Sequence, residues 1–135
     1  MNFIKKFLTV CLLFTFASGC TDKESSLEKE TGSDNETRSP IISGDDAKKL
    51  YNSGRSVILL DVRNQDEFDA KNIPDSILIP LPELGDRLSE LPDKNAYIIL
   101  FCRTGRRTAL AAEILINNGY VNVYDMQSID NWLDS

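Results

Sequence analysis

Short apolar runs alternate with longer amphipathic stretches along the chain from residue 40 to residue 135. The apolar runs predict strands, because runs of this length suit a strand that is buried within a sheet. The stretches between them span about three helical turns with one polar face, and these predict helices. Strands are predicted at residues 40–43, 57–61, 76–80, 96–101 and 121–126, and helices at residues 44–54, 64–70, 81–92, 108–119 and 129–135.

This alternation predicts a single α/β domain over residues 40–135, with a mainly parallel central sheet. Parallel neighbours need crossover connections, so helices are expected on both faces of the sheet. Ligands in such folds collect at the carboxyl ends of the strands. Asp61 ends one predicted strand and Cys102 follows another, so these two residues are expected to share one pocket.

Helix-end signals support the predicted boundaries. Asn64 with Glu67 three residues later has the spacing of a capping box at the start of a short helix. Gly54 and Gly119 suit left-handed residues at helix C-termini. The helix predicted at residues 81–92 carries a leucine stripe for the core, formed by Leu84, Leu88 and Leu91.

The N-terminus resembles an export signal over residues 1–19. Lys5 and Lys6 precede an apolar run at residues 7–17, which is shorter than the roughly 20 residues that cross a bilayer. The sequence ASGC, ending at Cys20, resembles the bacterial lipobox, with Ala17 where the pattern favours leucine. We therefore expect a lipidated Cys20 and an exported, membrane-anchored lipoprotein facing the periplasm or the cell exterior. The alternative is an ordinary signal peptide that is cleaved nearby.

Polar and acidic residues dominate residues 20–39, where Leu27 is the only large apolar residue. Such a segment buries too little surface to offset its ordering entropy, so it is predicted to be a flexible tether. The full chain has a net charge of −6, and loss of Lys5 and Lys6 leaves 13 basic and 21 acidic residues, a net charge of −8. This balance argues against nucleic-acid binding and against membrane binding other than through the lipid anchor.

The cysteines leave one thiol without an intramolecular partner. Cys11 lies in the predicted signal and Cys20 carries the expected lipid, so Cys102 stands alone in an exported domain. An odd cysteine in that setting indicates a reactive thiol. The chain has no histidine, which excludes a Cys-His pair and disfavours a zinc or haem site. No metal and no cofactor are predicted.

The sequence CRTGRRT begins at Cys102 and joins a predicted strand to a predicted helix. A helix N-terminus and neighbouring cations both favour the thiolate form of a cysteine. Gly105 allows the loop to curl so that successive amides face an anion. Between Asp93 and Glu113 the charged residues are all basic: Lys94, Arg103, Arg106 and Arg107. The segment therefore predicts a nucleophilic cysteine beside an anion-binding loop.

Residues 40–135 resemble the rhodanese (thiosulfate sulfurtransferase) homology domain. The resemblance rests on LLDVRNQDEFDAKNIPDSILIPLPEL, CRTGRRT and NNGYVNVYDMQSIDNW. Asp61 and Arg63 match the Asp-Val-Arg element of the family. The active-loop pattern Cys-Arg-x-Gly-x-Arg is matched by Cys102, Arg103, Gly105 and Arg107. The chain departs from the family at residues 71–75, where Gly-His-Ile-Pro-Gly is common, and at residues 127–128, where Gly-Gly is usual.

The resemblance implies a sulfurtransferase in which Cys102 is the sulfur-carrying nucleophile. The loop from Arg103 through Thr104 and Gly105 to Arg107 then forms the substrate cradle. A small sulfur-containing anion such as thiosulfate would donate sulfur, and cyanide or a thiol would accept it from a persulfide. Arg106 and Arg107 are expected to orient the donor, whereas Arg103 is expected to pair with Asp61. Arg63 is expected to brace the neighbouring strand end, although the Asp61 and Arg63 positions also suit a purely structural ion pair.

Three other interpretations fit part of this pattern. Cys102 could be a small buried core residue, which three neighbouring arginines disfavour. Cysteine phosphatases and some arsenate reductases also use a thiolate in an anion-binding loop, but their arginine stands six positions after the cysteine, where this chain has Thr108. A sulfur-relay or binding module of the cell envelope with little turnover is the main alternative, because the two departures from the family border the expected pocket.

Overall fold

The computed structural model describes residues 38–135, so the predicted signal peptide, Cys20 and nearly all of the tether lie outside the described residues. Four parallel strands form the sheet, in the order β2-β1-β3-β4. The strands are β1 (Val57–Asp61), β2 (Ile77–Leu78), β3 (Tyr97–Cys102) and β4 (Asn122–Ser128). The strand predicted at residues 40–43 is instead an isolated parallel bridge between Ile41 and Asp125.

The helices are α1 (Gly44–Tyr51), α2 (Gln65–Ala70), α3 (Arg106–Asn117) and α4 (Ile129–Leu133). At the start of α2, Glu67 accepts a hydrogen bond from the Asn64 N–H at 3.1 Å, as the capping-box spacing predicts. Gly119 follows α3 with a φ of +88°, the left-handed conformation expected of it. Gly54 also has the expected left-handed conformation, with a φ of +79°, but the predicted end of α1 was wrong, because the helix ends at Tyr51 and Gly54 lies in the turn after it. Within residues 38–135, no helix combines the length and apolar content needed to cross a membrane.

The helix predicted at residues 81–92 was also wrong. Two short 3₁₀ helices, Leu81–Glu83 and Leu88–Glu90, replace it. Gly85 lies between them, and glycine is a poor helix former because it retains so much freedom in the unfolded chain. The predicted burial of the leucine stripe needs no continuous helix, since Leu84 and Leu91 are fully buried from these two short turns.

The core lies on both faces of the sheet because neighbouring strand residues point to opposite sides. On one face, Leu60 and Leu100 pack with Ala111 and Leu115 of α3. On the other face, Leu59, Ile99 and Phe101 belong to a second cluster, which includes Ala47 of α1 and Ile129 of α4. The expected α/β fold, with helices covering a parallel sheet, is confirmed.

The strand order creates a switch point between β1 and β3. From β1 the chain crosses to β2 on one side, whereas from β3 it crosses to β4 on the other side. Connections that leave in opposite directions open a crevice at the carboxyl ends of the two central strands. Asp61 pairs with Phe101 in the register of β1 and β3, and Cys102 is the next residue. The fold thus brings the two predicted site residues to this crevice.

Candidate active site

Cys102 is the last residue of β3, at the carboxyl edge of the sheet. Its side chain packs at the end of the apolar cluster beneath α3 and is only 1% exposed. The Gly105 N–H donates a hydrogen bond to Cys102 Sγ at 3.1 Å. A backbone N–H aimed at sulfur favours negative charge on that atom. The burial expected of a core cysteine and the amide contact expected of a nucleophile therefore occur together.

Gly105 meets two demands that a larger residue could not meet. It precedes α3 with a φ of +85°, in the left-handed region that glycine adopts at low cost. A Cβ atom at this position would lie 3.0 Å from Gln127 Cβ. The buried Thr108 hydroxyl donates to the Gly105 carbonyl at 2.8 Å and so fixes the loop to the first turn of α3. The loop backbone is held tightly where it contacts the sulfur.

Asp61 forms a buried ion pair with Arg63. Arg63 Nη2 lies 2.6 Å from Asp61 Oδ2, and the two side chains are 5% and 0% exposed. The Arg63 backbone N–H and Nε also donate to Asp61, and Nη2 donates to the Lys71 carbonyl at 2.6 Å. The expected pairing of Arg103 with Asp61 is wrong, because Arg63 already occupies that carboxylate. Arg63 connects the end of β1 to the end of α2, which favours the structural interpretation of this pair.

Arg107 forms a second ion pair beside the loop. Its Nη1 and Nη2 lie 2.6 Å and 3.1 Å from the two carboxylate oxygens of Glu67. These hydrogen bonds hold the pKa of Glu67 below its ordinary value of 4.5, and the hydrogen bond from Asn64 adds to the effect. The same contact raises the pKa of Arg107. Arg107 was expected to orient the donor, but Glu67 holds both terminal nitrogens.

Arg103, Thr104 and Arg106 are exposed around the loop. Within residues 38–135, the structure shows no ion pair to Arg103 or Arg106. A cation without a carboxylate partner can bind an incoming anion without first breaking a contact. These two arginines are therefore the loop cations best placed to attract an anionic ligand.

The sequence matches the family described as the rhodanese-like domain over residues 43–135. This chain belongs to that family. It is 34% identical over 97 residues to the putative sulfur carrier protein YrkF of Bacillus subtilis, covering 72% of this chain and 52% of YrkF. It is 35% identical over 65 residues to the thiosulfate sulfurtransferase PspE of Escherichia coli, covering 47% of this chain and 62% of PspE. The chain thus spans about half to three fifths of the length of these two relatives.

The solved structure of the human single-domain sulfurtransferase TSTD1 is also similar, with a TM-score of 0.64 and 27% sequence identity. The match covers 72% of this chain and 97% of that protein. A rhodanese-like fold from residue 43 onward agrees with the family resemblance that the active loop indicated.

The two departures from the family pattern both include non-glycine residues with positive φ. Asp75 has a φ of +64° and Gln127 a φ of +66°. Each stands where the family usually has glycine, so this chain keeps a backbone shape typical of glycine while carrying a side chain. The left-handed conformation costs a non-glycine residue about 1 kcal/mol or more. At Gln127 the side chain lies directly against Gly105 of the active loop.

A cleft of about 280 Å³ lies beside the active loop. Arg103 lines it, together with residues of α2, α4 and their ends: Arg63, Glu67, Ala70, Lys71, Ile129 and Asp130. Lys71 and Asp130 form an exposed ion pair at 2.8 Å. Since Arg63 and Glu67 are also paired, Arg103 is the cleft cation that has no carboxylate partner within residues 38–135.

Sequence reasoning missed two contributors to this site. The capping-box spacing identifies Glu67 as a helix cap, but its pairing with Arg107 joins residues far apart in sequence. In the sequence Ser128 is only a departure from the family pattern, yet its Oγ donates to the Arg103 carbonyl at 2.9 Å. The departure itself was the available signal, since a serine can form hydrogen bonds that glycine cannot.

Proposed function

We propose that this chain is a sulfurtransferase that moves sulfane sulfur from thiosulfate, or a similar anionic donor, to cyanide or a thiol. The observation that supports it best is the Gly105 N–H directed at Cys102 Sγ. The sulfur also lies at the carboxyl end of β3, beside the switch point of the sheet, where ligands of parallel α/β folds bind. The family membership and the name of the relative PspE support the same chemistry.

In the first step, the Cys102 thiolate attacks the outer sulfur of thiosulfate. A sulfur–sulfur bond to Cys102 forms while the sulfur–sulfur bond within thiosulfate breaks. Sulfite leaves with the electron pair of that bond, and the protein holds a persulfide anion. The Gly105 N–H faces the sulfur of Cys102, and the α3 N-terminus contributes a partial positive charge.

In the second step, an acceptor attacks the outer sulfur of the persulfide. Cyanide becomes thiocyanate, or a thiolate becomes a persulfide, and Cys102 regains its electron pair as a thiolate. Neither step changes the number of electrons overall, so an external oxidant or reductant is not needed.

We assign different roles to the arginines of the loop. Arg103 and Arg106 attract and orient the donor oxyanion, because neither has a carboxylate partner within residues 38–135. Arg107 serves the reaction indirectly, since Glu67 holds it and it fixes the start of α3. Because Cys102 is buried, the donor has to displace atoms that cover Sγ before its outer sulfur can reach it.

A thiocyanate assay with thiosulfate and cyanide tests this function. We expect turnover by the wild-type protein and none by the Cys102→Ser variant, since a hydroxyl cannot carry the sulfur. Turnover that survives in Cys102→Ser would contradict the assignment. Phosphate release from an aryl phosphate would instead support the cysteine phosphatase interpretation.

A sulfur-relay module is a second candidate, favoured by the 1% exposure of Cys102. A relay would accept sulfur from a protein donor and turn over small molecules poorly. The relative YrkF bears the name of a sulfur carrier. A Cys102 persulfide that forms with a protein persulfide donor but not with thiosulfate would favour the relay over the enzyme.

We also propose that the domain is exported and attached to a membrane through a lipid on Cys20. The support is the sequence pattern around Cys20, which lies outside the described residues. Mass spectrometry of the N-terminal peptide from cell membranes should show a cleaved, acylated Cys20. The Cys20→Ala variant should leave the membrane fraction. An unmodified cysteine, or an N-terminus that begins elsewhere, would contradict the anchor.

A further inference from the structure

The junction between β4 and α4 makes direct contact with the active loop. Ser128 ends β4 beside Cys102, its partner in the β3–β4 register. Its Oγ donates to the Arg103 carbonyl at 2.9 Å and accepts a hydrogen bond from the Asp130 N–H at 3.2 Å. One hydroxyl therefore caps α4 and also holds the peptide unit that joins Arg103 to Thr104.

The Ser128 contact fixes the direction of that peptide unit. In a trans peptide the carbonyl and the following N–H point in opposite directions. With the Arg103 carbonyl held toward Ser128, the Thr104 N–H must point away from β4. Loss of the hydroxyl would free this unit to rotate and would change which loop amides face the sulfur.

Gln127 supports the loop at its other end. A Cβ placed on Gly105 would lie 3.0 Å from Gln127 Cβ and 3.3 Å from Gln127 Cγ, so the glycine and this side chain are closely packed. Gly105 is the residue whose N–H donates to Cys102 Sγ. Adjacent residues of β4 thus contact both the start and the end of the loop.

We propose that Ser128 is a positioning residue for sulfur transfer, acting through the Arg103 carbonyl on the loop around Cys102. The proposal rests on the function proposed above, and it adds a residue of the β4–α4 junction to the machinery of transfer. Ser128 does not touch the reacting atoms, so its contribution is to keep the loop amides in the orientation that stabilises a persulfide anion.

Ser43 offers a matched control. Its hydroxyl caps α1 by accepting from the Asp46 N–H at 3.2 Å, the same distance as the Ser128 cap of α4. Its second contact is to the Asp46 carboxylate of its own helix. Ser43→Ala therefore removes a helix cap and leaves the active loop untouched, whereas Ser128→Ala removes a cap and a loop contact.

The test compares Ser128→Thr with Ser128→Val, which have the same shape but differ in the hydroxyl, alongside Ser128→Ala and Ser43→Ala. We expect Ser128→Val and Ser128→Ala to lower kcat for sulfur transfer about three- to tenfold, the effect of losing one hydrogen bond. KM for thiosulfate should change little, because Arg103 and Arg106 keep their side chains. Ser128→Thr and Ser43→Ala should stay near wild type.

Hydrogen exchange provides a second readout that needs no turnover. Amides 103–107 should exchange faster in Ser128→Val than in Ser128→Thr, while Ser43→Ala matches wild type in this peptide. Equal exchange and equal kcat in the valine and threonine variants would overturn the proposal, and so would the same losses in Ser43→Ala. If the wild-type protein transferred no sulfur, the proposed function would fail, and the exchange comparison would still decide whether Ser128 orders the loop.

Discussion

The carboxyl ends of β1 and β3 lie side by side, yet they are built in opposite ways. At the end of β1, Asp61 and Arg63 are buried and satisfy each other with several hydrogen bonds. At the end of β3, Cys102 accepts one backbone N–H hydrogen bond, and two arginines of its loop, Arg103 and Arg106, are exposed. The first end provides a rigid frame, and the second keeps its charges available for a ligand. We infer that the proposed sulfur-transfer loop depends on this rigid neighbouring strand end.

The largest effect on stability should come from breaking the ion pair between Asp61 and Arg63. Arg63→Met removes the cation from a fully buried carboxylate, and such a loss costs about 3–5 kcal/mol in unfolding free energy. Urea denaturation measures it. Lys49→Gln is the control, because it breaks an exposed ion pair with Asp46 and should shift the midpoint very little. If the unfolding midpoint of Arg63→Met shifted as little as that of the Lys49→Gln control, the Asp61–Arg63 pair would not be needed for stability.

The Arg107–Glu67 pair should have an intermediate effect that depends on pH. Because Arg107 lowers the pKa of Glu67, the pair stabilises the fold above the ordinary value of 4.5 and loses this contribution as pH falls below it. We expect Glu67→Gln to cost about 1–2 kcal/mol at neutral pH, since two charge-assisted hydrogen bonds are lost from a partly buried site. Denaturation at several pH values should show the wild-type advantage shrinking as pH falls below 4.5. A difference that did not shrink at acidic pH would contradict the pairing.

A smaller effect is expected at Asp75, far from the loop in sequence. Glycine removes the strain of the positive φ, which stabilises the fold, but it also gains freedom in the unfolded chain, which offsets part of that gain. We therefore expect Asp75→Gly to stabilise the fold by about 0.5–1 kcal/mol. Gln127→Gly relieves the same strain, but it also removes the packing against Gly105. Thermal unfolding measures the relief of strain in both variants, and a sulfur-transfer assay measures the loss of loop support in Gln127→Gly. Equal activity in both variants would show that Gln127 does not support the loop.

The smallest effect on stability should come from the exposed loop arginines. Arg103→Gln and Arg106→Gln remove cations that have no carboxylate partner within residues 38–135, so the unfolding midpoint should barely change. KM for thiosulfate should nevertheless rise several-fold, because an anion loses a charge-assisted contact. Steady-state kinetics at two salt concentrations measures this. An unchanged KM in both variants would remove these arginines from donor binding.

Much of the fold around the site could be predicted from the sequence. The apolar runs at residues 57–61 and 96–101 predicted the two central strands, and the spacing of Asn64 and Glu67 predicted the start of α2. Both signals are local, since they depend on side-chain periodicity and on a cap that spans three residues. The placement of Asp61 and Cys102 at one edge followed from the parallel order of the strands.

The pairing of the charges could not be predicted in the same way. Three arginines have side chains long enough to reach a carboxylate near the loop: Arg63, Arg103 and Arg107. The sequence does not show which of them forms the ion pair. That choice depends on the backbone path after β1 and on the rotation of α3 relative to α2. The prediction of a helix over residues 81–92 was wrong for a related reason. A leucine stripe indicates which side chains are buried, but two short 3₁₀ helices can bury leucines as well as one continuous helix.

The mass of the intact protein after incubation with thiosulfate tests the central claim most directly. We expect the wild-type protein to gain one sulfur atom, to lose it on addition of a thiol, and to show no gain in the Cys102→Ser variant. A wild-type protein that gains no sulfur from thiosulfate or from any other sulfane donor, although folded, would contradict the assignment of Cys102 as the sulfur carrier.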